Sequence, residues 1–472
     1  MFNTNRRKVL PTVFAGCLVV VGTAAPIFAQ TPSYAATVLA PSGSVDTFFY
    51  GAGGAIAVGT AEFPAIGSPF PDARNAHAIL WNSATSSFTD LHPEGFSGSY
   101  AFSARNGQQV GYGFIGQGNR ALLWTGSAAS MVDLTASYMD SATLTDTDGQ
   151  FQVGGAITPN SEGSSVAFIW NGTAESAVQI HPVILAESYA YAIRDGRIAG
   201  TGSDFDFMQL GVYWPSATAE AILVRPSGYD ETSIVDIVGP WAVGTGTGFA
   251  TGGPRHAILW DPINLANSVD IHPTGNPAYI NSYPAKALST GPGPNDFIIV
   301  GSVAVETSPG SGETLEHACV WIGPSTFIDL HSTVPAGYVL SKATGIDSNG
   351  NIYGWATDLA ASSDYIAIRW SPVTAPASCN PADIACDDGT PLAQAPGCTN
   401  STTGPNEGDY NAFFSAEGFF FQAGQGTAGI GGTCDIACDD GNARSTNPGC
   451  TNNGVNEGDY NCFFNNLFLP CV

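Results

Sequence analysis

The chain has 472 residues, 57 of them glycine and 31 proline, and only 11% carry a charge. Forty acids against fourteen bases give a formal charge of −26, a surface that repels phosphate and so excludes nucleic acid and anionic membranes as partners. The length allows one large core plus a smaller module, and the absence of long amphipathic helical patterns points to a turn-rich all-β protein.

Residues 1–29 read as an export signal. Arg6, Arg7 and Lys8 supply the positive start, residues 13–28 the apolar stretch, and Ile27-Phe28-Ala29 a cleavage site before Gln30. The paired arginines loosely resemble a twin-arginine signal, but a cysteine-rich C-terminus suits oxidation after export, which favours the general secretory route. Phe14-Ala-Gly-Cys17 looks like a lipoprotein box, yet most of the apolar run follows Cys17, which is read as part of the signal. Loss of Arg6, Arg7 and Lys8 takes the mature chain from −26 to −29. No later segment reaches membrane-spanning length. The expected location is outside the cell or on its surface, as a monomer.

From residue 37 to 370 a repeat governs the sequence. Seven apolar segments end in tryptophan: Trp81, Trp124, Trp170, Trp214, Trp260, Trp321 and Trp370, spaced 43, 46, 44, 46, 61 and 49 residues apart. Each unit also carries a Leu/Ile-His-Pro-like tag, as in Asp90-Leu-His-Pro93, Gln179-Ile-His-Pro182, Asp270-Ile-His-Pro273 and Asp329-Leu-His331. A small-residue strand and a turn follow, such as Asn106-Gly107 or Asp195-Gly196, which tolerate the positive φ of tight hairpins. Then comes a strand with a recurrent glycine: Gly59, Gly111, Gly154, Gly200, Gly244, Gly301 or Gly354. Four short strands per unit at this period predict a seven-bladed β-propeller.

The ends of the array predict how the ring closes. The last unit stops at Trp370 without its tagged strand, and the first begins with an orphan one, Thr37-Val-Leu-Ala-Pro41. The N-terminal strand is therefore expected to pair with residues 366–370 inside one blade, removing the exposed edges of an open array.

These residues resemble the bacterial extracellular repeats named for a His-Ala-Phe tripeptide, the HAF repeats. The tripeptide stands as His-Ala-Ile at residues 77 and 256, His-Ala-Cys at residue 317, and Ala-Phe at residues 167 and 168. The resemblance implies a secreted protein and implies no settled activity.

Residues 371–378 read as a linker. Beyond it lie eight of the ten cysteines and a second repeat, with copies near 379–414 and 434–472. Asp383-Ile-Ala-Cys-Asp-Asp-Gly389 matches Asp435-Ile-Ala-Cys-Asp-Asp-Gly441, and Asn406-Glu-Gly-Asp-Tyr-Asn411 matches Asn456-Glu-Gly-Asp-Tyr-Asn461. Eight cysteines allow 105 pairings; the repeat favours Cys386–Cys398, Cys438–Cys450 and a closing Cys462–Cys471.

Eleven carboxylates face one base, Arg444, in this module. Asp-x-x-x-Asp-Asp-Gly followed by Glu-x-Asp resembles a degenerate dockerin-type repeat. The resemblance implies calcium, with Asp383, Asp387, Asp388, Glu407 and Asp409 as ligands in the first copy. Asp435, Asp439, Asp440, Glu457 and Asp459 fill the same places in the second. Calcium takes six to eight oxygens from such loops. Ala385 and Ala437 stand at expected ligand positions, so the alternative is a disulfide-knit cap whose acids face water.

Catalysis gains little support. All seven histidines fall at matched repeat positions, where a shared hydrogen bond between blades explains them better than a unique general base. The repeat tryptophans are read as core wedges, as are Trp241 and Trp355. No nucleophile elbow or His-Glu-x-x-His zinc motif is present. The pairs Asp146/Asp148 and Asp204/Asp206 are expected in turns. The preferred reading is a secreted, non-catalytic binder of an extracellular protein or polysaccharide, with the tail for attachment or assembly. The alternative is a carbohydrate-active hydrolase or lyase using carboxylates at the channel mouth.

Overall fold

The computed structural model describes residues 33–65, 74–116, 118–358, 365–373, 380–392, 394, 398–400, 404–429, 432–444 and 450–469. The export signal, Cys17, Cys379, Cys471 and residues 374–378 of the linker lie outside the described residues. Two compact units are present, one spanning Ser33–Val373 and the other carrying Thr374–Val472.

The first unit is a propeller of seven four-stranded antiparallel sheets. In blades 1 to 6 the strands follow chain order from the axis outward, beginning with Asp46–Gly53, Gly98–Arg105, Ser141–Thr147, Glu187–Arg194, Glu231–Val238 and Tyr279–Ser289. Each repeat tryptophan lies on the third strand of its blade. Blade 7 takes Leu340–Ile346, Ile352–Thr357 and Tyr365–Val373 from the end of the array and Ser33–Leu39 from its start. Ala36 faces Trp370 and Thr37 faces Arg369 in that closing pair. The Thr344 hydroxyl then donates to the Phe49 carbonyl at 2.6 Å, tying blade 7 to blade 1.

Every inner strand bulges at the same place. One residue is skipped in the pairing with the second strand: Tyr50, Phe102, Thr145, Tyr191, Val235, Ala285 and Thr344. Such a bulge pushes a carbonyl across the neighbouring strand. At Gly59 a Cβ would lie 1.8 Å from the Phe48 carbonyl oxygen, and at Gly244 1.7 Å from that of Ser233. The recurrent glycine is thus the imprint of the bulge.

The histidines form a repeated clasp between blades. Nδ1 of His92, His181, His272 and His331 lies 2.8–2.9 Å from the hydroxyl of Ser99, Ser188, Ser282 or Ser341 on the next inner strand. Each serine oxygen accepts from a backbone N–H of the preceding blade: Ala78, Ala167, Ala257 or Ala318. In three blades a second histidine stacks on the first with centroids 4.0 Å apart: His77 on His92, His256 on His272, and His317 on His331. Asp90, Asp270 and Asp329 hold that outer ring at 2.7–2.8 Å. Six repeat tryptophans are fully buried and Trp81 nearly so, as wedges should be.

The C-terminal unit is helical where it is regular, with helices Glu407–Phe413, Phe419–Ala423 and Glu457–Asn466. Phe413 and Phe463, equivalent in the two copies, stack with centroids 3.9 Å apart. Cys386–Cys398 and Cys438–Cys450 are disulfide-bonded. Cys462 is a buried free thiol, and Cys471, its expected bridging partner, lies outside the described residues. Cys462 belongs to helix Glu457–Asn466 and is 2% exposed in the module's interior.

Candidate functional site

One face of the propeller is built from the starts of the inner strands and the ends of the second strands. There Tyr100 and Tyr112 stack at 4.9 Å, Phe102 lies 5.4 Å from both Tyr50 and Tyr112, and Tyr189 and Tyr191 lie 5.4 Å apart. Phe48 packs on Tyr365 and Trp355, and the Lys342 ammonium sits 5.8 Å from the centre of the Trp355 ring. Most of these rings are half-buried. Blades 3 and 5 carry Thr143, Thr145, Ser233 and Val235 at the matching positions, so the belt is interrupted on either side of blade 4. Trp355 belongs to this belt and is not a core wedge.

Carboxylates rim the belt. Glu231 pairs with Arg255 at 3.1 Å, and Glu316 with Lys342 at 2.7 Å and the Ser302 hydroxyl at 2.6 Å. Asp46 and Glu62 face each other across blade 1. Asp46 accepts from the Tyr365 N–H at 2.8 Å. Burial first, then the Asp46 charge, raises the Glu62 carboxyl above its ordinary value, with Arg74 opposing. A carboxyl held toward its acid form beside a carboxylate can donate a proton.

Loops on the same face expose apolar side chains. Val183 and Ile184 precede the inner strand of blade 4, Phe205 and Phe207 join its second and third strands, and Phe249 does so in blade 5. Phe249 is 93% exposed beside a depression lined by Asp230, Thr247 and Gly253. Phe207 is 82% exposed and holds φ at +63°, a region costly for a bulky residue.

Toward the other end of the inner strands lies an ionic cluster. Arg194 of blade 4 donates to Asp146 of blade 3 and, at 2.8 Å, to Asp236 of blade 5. Both carboxylates are fully buried. Asp146 also accepts from the Ser103 hydroxyl at 2.5 Å and the Ile193 N–H at 3.1 Å, and Asp236 from the Ala287 N–H at 2.9 Å. Burial raises the Asp146 carboxyl, but Arg194, Lys286 and Arg105 outweigh it and hold the group well below its ordinary value. Asp146 is therefore a strand residue, which corrects the expected turn. Asp148 and Asp204 do sit in turns, accepting from the N–H groups of Gln150 and Phe151, and of Asp206 and Met208.

Eight of the ten carboxylates expected around calcium accept hydrogen bonds. Asp409 accepts from Ile384, Ala385 and Asn406 N–H groups at 2.7–2.8 Å, and Asp459 repeats this with Ile436, Ala437 and Asn456 at 2.7–2.9 Å. These are capping boxes that also anchor the preceding loop. Asp383 accepts from Asn400, and Asp435 from Arg444 and Asn452. Asp387 and Asp439 hold Asn406 and Asn456, while Asp388 and Asp440 close turns on Thr390 and Asn442. Glu407 and Glu457 are exposed in the first helical turns. Among the described residues no three His, Cys, Asp or Glu side chains are grouped to hold a metal.

Fold and site together define a seven-bladed β-propeller with an aromatic mouth, carried in one chain with a small disulfide-bonded module. No family model matches the chain, and no curated protein matches it. Among solved structures it is similar to the β-propeller domain of the Trilobed protease from Pyrococcus furiosus, at 8% identity and a TM-score of 0.44, covering 69% of this chain and 94% of that one. The oligogalacturonate lyase from Vibrio parahaemolyticus matches at 11% identity and 0.43, covering 74% and 98%. A puromycin hydrolase matches at 12% identity and 0.44, covering 70% and 55%. The chain thus spans about half the length of that hydrolase, and 49% of an acylaminoacyl peptidase from Pyrococcus horikoshii. These likenesses carry no argument about activity.

Proposed function

We propose that the chain is an exported binding protein, without chemistry of its own, that holds an extracellular polysaccharide at the aromatic face of the propeller. The observation that carries this reading is the concentration of the tyrosine belt, its carboxylate rim and the exposed Phe205, Phe207 and Phe249 on one face. Exposed apolar patches with polar rims mark interaction sites. Sugar rings pack their C–H faces on aromatic rings and donate hydroxyl hydrogen bonds to carboxylates. The signal at residues 1–29, the HAF-like repeats and a dockerin-like tail used for attachment belong to the same reading. Retention of the full chain on secreted polysaccharides, with the polymer length unchanged, is the expected result. Retention on envelope proteins alone, or on nothing, sinks it.

A second reading rests on the Asp46/Glu62 pair. Glu62 would supply a proton to a leaving group and Asp46 would face the opposite side of the sugar, as in a glycosidase. Chain shortening of a polysaccharide that disappears on Glu62→Gln would establish it and overturn the non-catalytic reading.

A further inference from the structure

The aromatic mouth already houses one ammonium of its own. At the seam of blades 7 and 1 the rings of Phe48 and Tyr365 lie 4.7 Å apart, Trp355 and Tyr365 5.4 Å, and Phe48 and Trp355 6.1 Å. Their planes meet at 40°, 68° and 74°, so the three rings turn their faces in different directions. The Trp355 face carries the Lys342 ammonium 5.8 Å from its centre, and Glu316 pairs with that ammonium at 2.7 Å. A ring face and a carboxylate together make a good seat for a cation.

Blade 1 repeats the rings and carboxylates without the ammonium. Asp46 and Glu62 stand directly opposite each other on the first two strands, where Cβ atoms lie about 4.5–5.5 Å apart and like charges repel. Phe48, two residues along the same strand, shares their face. The Tyr365 N–H holds one oxygen of Asp46 at 2.8 Å, which fixes that carboxylate beside the Tyr365 and Phe48 rings. Elsewhere on the rim Glu231 and Glu316 each pair with a base, and Glu187 accepts from the Ser203 hydroxyl at 2.8 Å. Among the described residues neither Asp46 nor Glu62 makes an ion pair. Arg74, the base whose charge acts on Glu62, is exposed and stands opposite Pro64, two positions beyond Glu62.

With Arg74 counted, two carboxylates still meet one base, on a chain whose overall charge is −26. A sugar bearing only hydroxyls would leave that surplus in place, and a uronate would add to it. A protonated amine brings one positive charge and three donors, enough to bridge both carboxylates. We propose that the blade 7–blade 1 seam selects an amino sugar, its ammonium between Asp46 and Glu62 and its ring against Phe48 and Tyr365. The polymer held at the mouth is then cationic, of the glucosamine type. This rests on the reading of the mouth as a polysaccharide site and adds the charge of the sugar.

The test is calorimetric titration of the full chain at constant ionic strength and at a pH that keeps the amine protonated. The probes are a glucosamine oligomer, its N-acetylated counterpart of equal length, a polyuronate, and polylysine as a cation without sugar rings. The glucosamine oligomer is expected to bind at least about tenfold more tightly than the acetylated one. Asp46→Asn and Glu62→Gln should each bring those two constants together. Glu175→Gln removes an exposed acid between the third and fourth strands of blade 3, on the opposite face, and should leave the preference intact. A preference that survives both mouth variants, an equal loss with Glu175→Gln, or polylysine uptake as tight as that of the glucosamine oligomer overturns the proposal in favour of bulk charge. Equal binding of the two oligomers, or tighter uptake of the polyuronate, overturns amino-sugar selection and leaves the polysaccharide reading standing. Retention on no polysaccharide at all overturns both. If Asp46→Asn fails to fold, Glu62→Gln alone decides it.

Discussion

Arg194 donates to Asp236 at 2.8 Å across the boundary between blades 4 and 5, while its other nitrogen holds Asp146 of blade 3. One side chain thereby fastens three blades at the axis. Replacing Arg194 with Met strands two fully buried carboxylates, and breaking such an arrangement costs about 3–5 kcal/mol. Denaturant unfolding should report that loss. Adding Asp146→Asn and Asp236→Asn should recover much of it, since the penalty comes from unpaired charge.

The clasp histidines make the propeller acid-sensitive. Burial, reinforced by a stacked histidine charge in three of the four cases, lowers the proton affinity of His92, His181, His272 and His331 below that of an ordinary imidazole. The unfolded chain then binds more protons than the folded one once the pH falls through about 6.5. Stability is full above that value and declines as the pH drops toward the folded-state values. The melting temperature should be lower at pH 5.5 than at pH 7.5, and replacing all four histidines with Gln should flatten the difference. An unchanged melting temperature across that range would refute the clasp as described.

At Gly244 a methyl group would meet the Ser233 carbonyl at 1.7 Å. Gly244→Ala should destabilise the propeller by about 1–3 kcal/mol, the cost of forcing atoms into a packed site. Gly252→Ala tests a different cause, because the space there is open but φ is +72°. A smaller loss is expected there, read by the same thermal unfolding.

What was legible in the sequence is what the ring repeats. Trp260 and Gly244 recur because every blade needs the same wedge and bulge, and His272 recurs because four blade boundaries share the clasp. The mouth escaped because its positions do not repeat: Tyr100, Thr143, Tyr189, Ser233 and Lys342 occupy one equivalent place in five blades. Aligning the units on their glycines and looking for positions that vary toward aromatic would have exposed the belt. The Asp146–Arg194 pair spans 48 residues, and the Asp-x-Asp-Gly context concealed it as a turn. In the tail, a capping box and a calcium loop call for the same Asp-rich spacing. The N–H groups aimed at Asp409 and Asp459 show the capping box in both copies.

Binding at the aromatic face is tested most directly by titrating secreted polysaccharide into the full chain and into a Phe207→Ala/Phe249→Ala variant. Ile263→Ala, a change at the 75% exposed residue between the third and fourth strands of blade 5, serves as the opposite-face control. The account predicts an association constant at least about tenfold weaker for the double variant. Its melting temperature should be unchanged and the Ile263→Ala control should bind normally. Full binding by the double variant, or loss confined to Ile263→Ala, would contradict it.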